Sequence, residues 1–195
     1  MVPPHPPAGA RRSAARGRTS RSPGPGLPRT AAALLSRTLA TIGVYGFDGA
    51  SFAAALRRAG ITLLLDVRQR RGVRGSEYAW ANARRLEAAL EEKGIAYSHL
   101  PELAPTTAMR RLQYREDERR GEGKRSRTEL APEYVLRYTE EVLDQVDLEP
   151  IVNWMGSKRP VLLCVERDPE ACHRSLVAAR LKSEFGFDVE HLKPE

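Results

Sequence analysis

The sequence predicts an α/β fold: a single Rossmann-like three-layer domain with a mostly parallel sheet of about five strands, preceded by a disordered N-terminal tail. Two observations carry the fold. Residues 61–67 and 160–165 are continuous apolar runs, as in strands covered on both faces. Such runs alternate with segments of helical periodicity, which calls for parallel strands joined by helical crossovers. A third observation carries the tail. Residues 1–40 hold seven arginines, no acid and seven of the fourteen prolines, with few large apolar side chains to offset the entropy of ordering.

Residues 38–45 read as a first strand ending among glycines. Asp48 or Ser51 caps a helix that carries Phe52, Ala55, Leu56 and Ala59 and stops at Gly60. The second strand is 61–67. A helix over 80–93 sets Leu86 and Leu90 on one face and stops at Gly94; a short third strand follows at 95–99. Residues 101–130 are polar, with Pro101, Pro105, Gly121 and Gly123, and read as a long charged excursion or lid outside the core. Pro132 opens a helix to about 146 with Tyr134, Val135, Tyr138 and Val142 as its stripe. Pro150 starts a short helix through Trp154 and Met155. The fourth strand is 160–165, a helix spans 172–185, and 188–192 is the last strand. The tail is therefore 1–37 and the folded domain 38–195.

The chain carries 32 Lys+Arg against 25 Asp+Glu, a net charge of +7. That excess lies wholly in the first 40 residues; the remainder balances 25 basic against 25 acidic side chains. A basic arm neutralises phosphates without folding, which gives the tail a route to nucleic acid. An Arg- and Ser-rich, acid-poor leader also fits a transit peptide, and a plain solvated extension fits as well. No apolar run of 18 residues exists, so no membrane-spanning helix is expected. Two cysteines are too few for a disulfide-built secreted scaffold, and the expected location is cytoplasmic. There is no P-loop, and Gly43-Val44-Tyr45-Gly46 is not a dinucleotide fingerprint, so no cofactor is expected. The oligomeric state is left open.

In open α/β sheets, ligands bind outside the carboxyl ends of the strands. That rule selects 43–46, 66–74 and 164–174, which right-handed crossovers bring to one rim. The last of these runs Cys164-Val165-Glu166-Arg167-Asp168-Pro169-Glu170-Ala171-Cys172-His173-Arg174-Ser175. Together with Thr41-Ile42-Gly43 and Asp66-Val67-Arg68, it resembles the DUF488 family of uncharacterised proteins, over roughly residues 38–193. Gly94-Ile95-Ala96-Tyr97 and Pro101-Glu102-Leu103 are similar to that family too. The chain departs from it at Val44-Tyr45, where the family often has His-Ser, and at Ala104-Pro105, where a Gly-Gly pair is common. The resemblance implies a compact Rossmann-like domain and no settled activity.

Several candidates follow from the residues themselves. The helix starting near Cys172 would offer N–H groups, His173, Arg174 and the Ser175 hydroxyl to an anion. Arg68 would add a bidentate fork, and Gly43 and Tyr45 complete the binding set. Arg174 could instead pair with Asp66 or Glu166 and hold the rim together. Asp66 and Glu166 are candidate acid–base catalysts; converging on a sugar, they would suit glycosidic bond cleavage. Salt bridges to Arg68 or Arg174 are the competing role for both. Cys172, at a helix N-terminus beside His173 and Arg174, is a candidate nucleophile. A zinc site from Cys164, Cys172 and His173 would need a fourth ligand such as His99, and adjacent residues on one helical turn point about 100° apart, so no metal is expected. Tyr78, Trp80 and Tyr114 could stack on a base. The expected function is a small enzyme acting on a nucleotide or a nucleic-acid-derived phosphate or sugar. The alternatives are a non-catalytic nucleic-acid-binding module working through the arm, and a thiol-dependent enzyme centred on Cys172.

Overall fold

The computed structural model describes residues 37–194; the tail assigned to 1–37 lies, but for its last residue, outside the described residues. The elements run β1 (Thr38–Ile42), α1 (Gly49–Arg58), β2 (Leu63–Asp66), a 3-10 segment (Ser76–Ala81), α2 (Ala83–Glu91) and β3 (Ala96–His99). They continue with a 3-10 turn (Pro101–Leu103), α3 (Thr107–Arg120), α4 (Pro132–Tyr138) running into a π turn (Thr139–Leu143), and α5 (Glu149–Met155). The chain closes with β4 (Pro160–Leu163), α6 (His173–Phe185) and β5 (Asp188–Leu192).

All five strands are parallel, in the order β3-β2-β4-β1-β5. The apolar runs Leu63-Leu64-Leu65 and Val161-Leu162-Leu163 form the buried centre, as their unbroken hydrophobicity requires. β5 closes one edge and is largely exposed. After β1 and β2 the chain steps towards the β3 edge; after β3 and β4 it steps back towards β5. Right-handed crossovers then put α1 and α2 on one face and α3 to α6 on the other. The contacts of α6 with β1, β4, β5 and α4, and of α2 with β3, fit that arrangement. β2 and β4 are thus neighbours whose connections leave in opposite directions, and a crevice opens at their carboxyl ends. Among the described residues, no helix is long and apolar enough to cross a membrane.

Two elements differ from the sequence reading. The helix expected over 80–93 starts at Ala83, because Asn82 has extended backbone and its Oδ1 accepts from the Val73 N–H at 2.7 Å. Residues 101–130, read as a long charged excursion or lid outside the core, contain the helix α3 and bury several of its side chains. Thr106 caps α3 by accepting from the Met109 N–H at 3.3 Å, and Met109 and Leu112 are buried. Buried Asp117 receives Arg127 through Nε at 2.9 Å and Nη2 at 2.5 Å. Gln113 donates to Asp117 at 2.8 Å and accepts from the Ala131 N–H at 2.9 Å. This polar network folds the strongly charged stretch after α3 back over the rim.

The end of β1 must pass very close to the segment after β4. A Cβ on Gly43 would stand 1.9 Å from the Glu166 carbonyl oxygen, a backbone atom with nowhere to go. Val44 and Tyr45 both donate to the Val165 carbonyl, at 3.1 and 3.0 Å. Gly43→Ala is therefore expected to lower stability by at least the ~1–3 kcal/mol typical of an overpacked site. A urea melt checks this, and an unchanged midpoint would refute the close approach.

Candidate functional site

The three segments chosen from the strand-end rule meet at one rim. Val67 donates to the Leu163 carbonyl at 3.1 Å, joining the ends of β2 and β4. His173, at the start of α6, reaches across to the Val67 carbonyl through Nε2 at 3.0 Å. Arg174 donates through Nη1 to the Glu166 carbonyl at 2.7 Å and through Nη2 to the Arg167 carbonyl at 2.9 Å. Its Nε is buried without a partner.

These bonds show what several candidates contact. The donors assigned to an anion at the start of α6 are engaged within the fold: His173 and Arg174 on backbone carbonyls, and the Ser175 hydroxyl on the Cys172 carbonyl at 2.8 Å. Arg174 pairs with neither Asp66 nor Glu166 through their carboxylates, but with main-chain oxygens. Arg68 turns its fork inward, with Nε 2.8 Å from Asp66 Oδ1 and Nη2 2.6 Å from Oδ2, while Nη1 donates to the Ala81 carbonyl at 3.0 Å. The Tyr97 hydroxyl donates to Asp66 Oδ2 at 2.8 Å, and burial together with that carboxylate pushes the phenol well up. Asp66 and Arg68, both essentially unexposed, therefore form a structural pair at the end of β2, the role that competed with acid–base work and anion binding. His99 bonds the Arg68 carbonyl at 2.8 Å and stands with this pair.

The chemistry-bearing cluster lies on the β4 side. Cys164 Sγ donates to Glu166 Oε2 at 3.2 Å and lies 3.7 Å from His173 Nδ1; Cys172 Sγ lies 4.0 Å from the same nitrogen. The obstacle expected between adjacent Cys172 and His173 does not arise. Cys172 is the N-cap, with extended backbone at φ −142° and ψ 138°, so the angular step of a helix does not separate the two side chains. All four groups are buried. Burial pushes the Cys164 thiol well above the ordinary range, and the neighbouring Cys172 adds to it. Burial also opposes ionisation of Cys172, but Cys164, Arg174 and His173 outweigh it and bring that thiol well below the ordinary range. His173 is raised: burial disfavours its charge, and Cys172 and Glu166 overcome this. Burial raises Glu166 too, with Cys172 assisting and Lys124 opposing.

Three cations from the arm after α3 complete the rim. Lys124 Nζ and Arg127 Nη1 each stand 3.9 Å from Glu166 Oε1. Arg125 lies over the rings of Tyr45 and Tyr78, at 5.3 and 5.1 Å, and those rings are 5.0 Å apart. Of the proposed stacking residues, Tyr78 pairs with Tyr45 at the rim, Tyr114 is exposed on α3 within electrostatic reach of Lys124, and Trp80 packs on Phe52 at 4.8 Å. The individual roles of Lys124, Arg125 and Arg127 were not separable in sequence from the mixed charges around them. No spacing or composition singles them out; the buried pairing of Arg127 with Asp117, which places the arm, is a tertiary contact. A cleft of about 400 Å³ between α1 and α2, lined by Phe52, Leu56, Trp80 and Leu86, lies away from this cluster and is mainly apolar.

The domain of unknown function DUF488 matches residues 49–181, more than half of the chain, and the chain belongs to that family. No curated protein and no solved structure shows a significant match to it.

The Asp66–Arg68 pair is expected to act as a pillar of the rim. Arg68→Met leaves Asp66 buried without its partner and should cost about 3–5 kcal/mol. Chemical denaturation measures the loss, and a change below about 1 kcal/mol would place the support elsewhere.

Proposed function

We propose that this chain is a small enzyme that binds a nucleotide-like, phosphate-bearing substrate at the rim and works on it through Glu166. One observation carries the reading: among the carboxylates described at the crevice, Glu166 faces two cations at 3.9 Å without a short ion pair to either. Asp66, by contrast, is locked in a bidentate pair. A carboxylate and two cations held close but not clamped are suited to a ligand that brings its own charge. Lys124 and Arg127 would take a phosphate, since Arg127 keeps its position through Asp117. The Tyr45–Tyr78 pair, now under Arg125, offers a stacking surface for a base. Glu166 would then transfer a proton at the scissile bond of a glycosidic or phosphate ester substrate.

The thiol-centred alternative is less well served. Cys172 is 1% exposed, so a substrate carbon could reach it only after the rim opened. A nucleic-acid-binding role through the arm concerns residues outside those described. The two unlinked thiols fit a reducing compartment, and we place the protein in the cytoplasm.

A panel of nucleotides, nucleosides and short oligonucleotides identifies the substrate by product formation. Glu166→Gln is expected to lower kcat by about 10²–10⁴-fold with fold and substrate binding retained. Full turnover in that variant would overturn the role of Glu166. Lys124→Ala is expected to raise KM more than it lowers kcat for phosphorylated substrates, and an unchanged KM would remove Lys124 from the binding set.

A further inference from the structure

We infer that Cys164, Cys172 and His173 hold a thiophilic divalent metal ion, and that zinc is the ion their chemistry fits. The three ligand atoms lie within 4.8 Å of one another. The distances from His173 Nδ1 to the two sulfurs are 3.7 and 4.0 Å. In a tetrahedral site with Zn–S of about 2.3 Å and Zn–N of about 2.0–2.1 Å, a sulfur and a nitrogen stand about 3.6 Å apart. The two nitrogen–sulfur separations need close by only a few tenths of an ångström around an ion, and the two sulfurs, within 4.8 Å of each other, draw in by about 1 Å to the ~3.8 Å that two Zn–S bonds subtend.

The orientation of the imidazole is the second observation. Its Nε2 faces the Val67 carbonyl at 3.0 Å, which requires the proton on that nitrogen. In the neutral ring that binds a metal, the lone pair of Nδ1 is then directed at the two thiols. Metal-bound histidines are held in the same way, with the other ring nitrogen donating to a carbonyl or carboxylate that fixes tautomer and ring plane. The fold supplies this carbonyl from the residue that follows β2, so the ring is oriented before any ion arrives.

The third observation is the chemistry of the set. Two thiolates and one neutral imidazole bring a 2+ ion to zero net charge, which a buried site requires. Both thiols are free of a disulfide, and binding would release their protons to solvent. Soft sulfur with imidazole selects zinc over magnesium or calcium, which take oxygen. Three protein ligands leave a fourth position. Glu166 Oε2 lies 3.2 Å from Cys164 Sγ, next to that position. Sites that keep one position for water or substrate are catalytic rather than structural in pattern. The metal assignment does not depend on the proposed substrate class.

The test uses the full chain, stripped with a chelator, reduced and then titrated with Zn²⁺ or Co²⁺ alone. The expected result is one ion per chain, a sulfur-to-cobalt charge-transfer band with the intense visible absorption of tetrahedral cobalt, and a higher Tm when metal is present. Cys164→Ser, Cys172→Ser and His173→Ala should each weaken binding by more than the ~10–100-fold that loss of a supporting hydrogen bond costs. His99→Ala should bind as the parent does. If a variant fails to fold by circular dichroism, the parent titration still decides. No uptake with both thiols shown to be reduced overturns the site, as does a cobalt spectrum without thiolate character. Such a failure leaves the Glu166→Gln result standing, so the two readings fall separately.

Discussion

A buried side-chain hydrogen bond, from His173 Nε2 to the Val67 carbonyl, ties α6 across the crevice where the connections of β2 and β4 part. β2 and β4 are neighbours in the sheet, yet the chain leaves them in opposite directions. Without a cross-tie, the crevice between their ends would be held only by the Val67 to Leu163 main-chain bond. The His173 bond spans it with a side chain whose other nitrogen faces Cys164 and Cys172. Arg174, the next residue, holds the Glu166 and Arg167 carbonyls, and so sets the backbone from which the Glu166 side chain projects. Gly43 fits beneath the same carbonyl because it has no Cβ. The rim is thus built from side chains that satisfy the main chain, and its chemistry rests on what they leave exposed to one another.

Electrostatics at this rim are local. Beyond the first 40 residues, acidic and basic side chains are equal in number, so no global field draws an anion to the domain. Lys124 and Arg127 reach Glu166 because Asp117 and Gln113 pin the returning arm to α3. A buried ion pair of this kind adds little net stability against an apolar alternative. What it contributes is position: it carries cations from a mobile-looking composition to a defined point above the sheet.

The sheet was legible in the sequence because a buried parallel strand has no polar face. Ile61 to Val67 and Pro160 to Val165 have to be strands within a layered fold, and β2 and β4 are the centre of the sheet. α3 was not legible for the opposite reason. Its charges mask a helix that is anchored by Met109, Leu112 and a polar network rather than by an apolar stripe. Glu166, Cys172 and His173 could be grouped from the sequence, since all follow one strand, and they lie together in the structure. The use of Arg68 was not: whether its fork points to Asp66 or to a ligand depends on a side-chain direction that spacing does not encode. Cys172 and His173 were set apart by helical geometry, but the helix begins one residue later than that argument assumes.

Read from one end to the other, the chain settles its fold class, the order of its strands and the three segments that meet at the strand ends. Those follow from hydrophobic periodicity and from the handedness of crossovers, both of which act through the backbone. The pairing of Asp66 with Arg68, the direction of the His173 lone pair and the approach of Lys124 to Glu166 were decided in three dimensions. They join residues up to 106 positions apart, and which donor meets which acceptor depends on packing that fixes each rotamer.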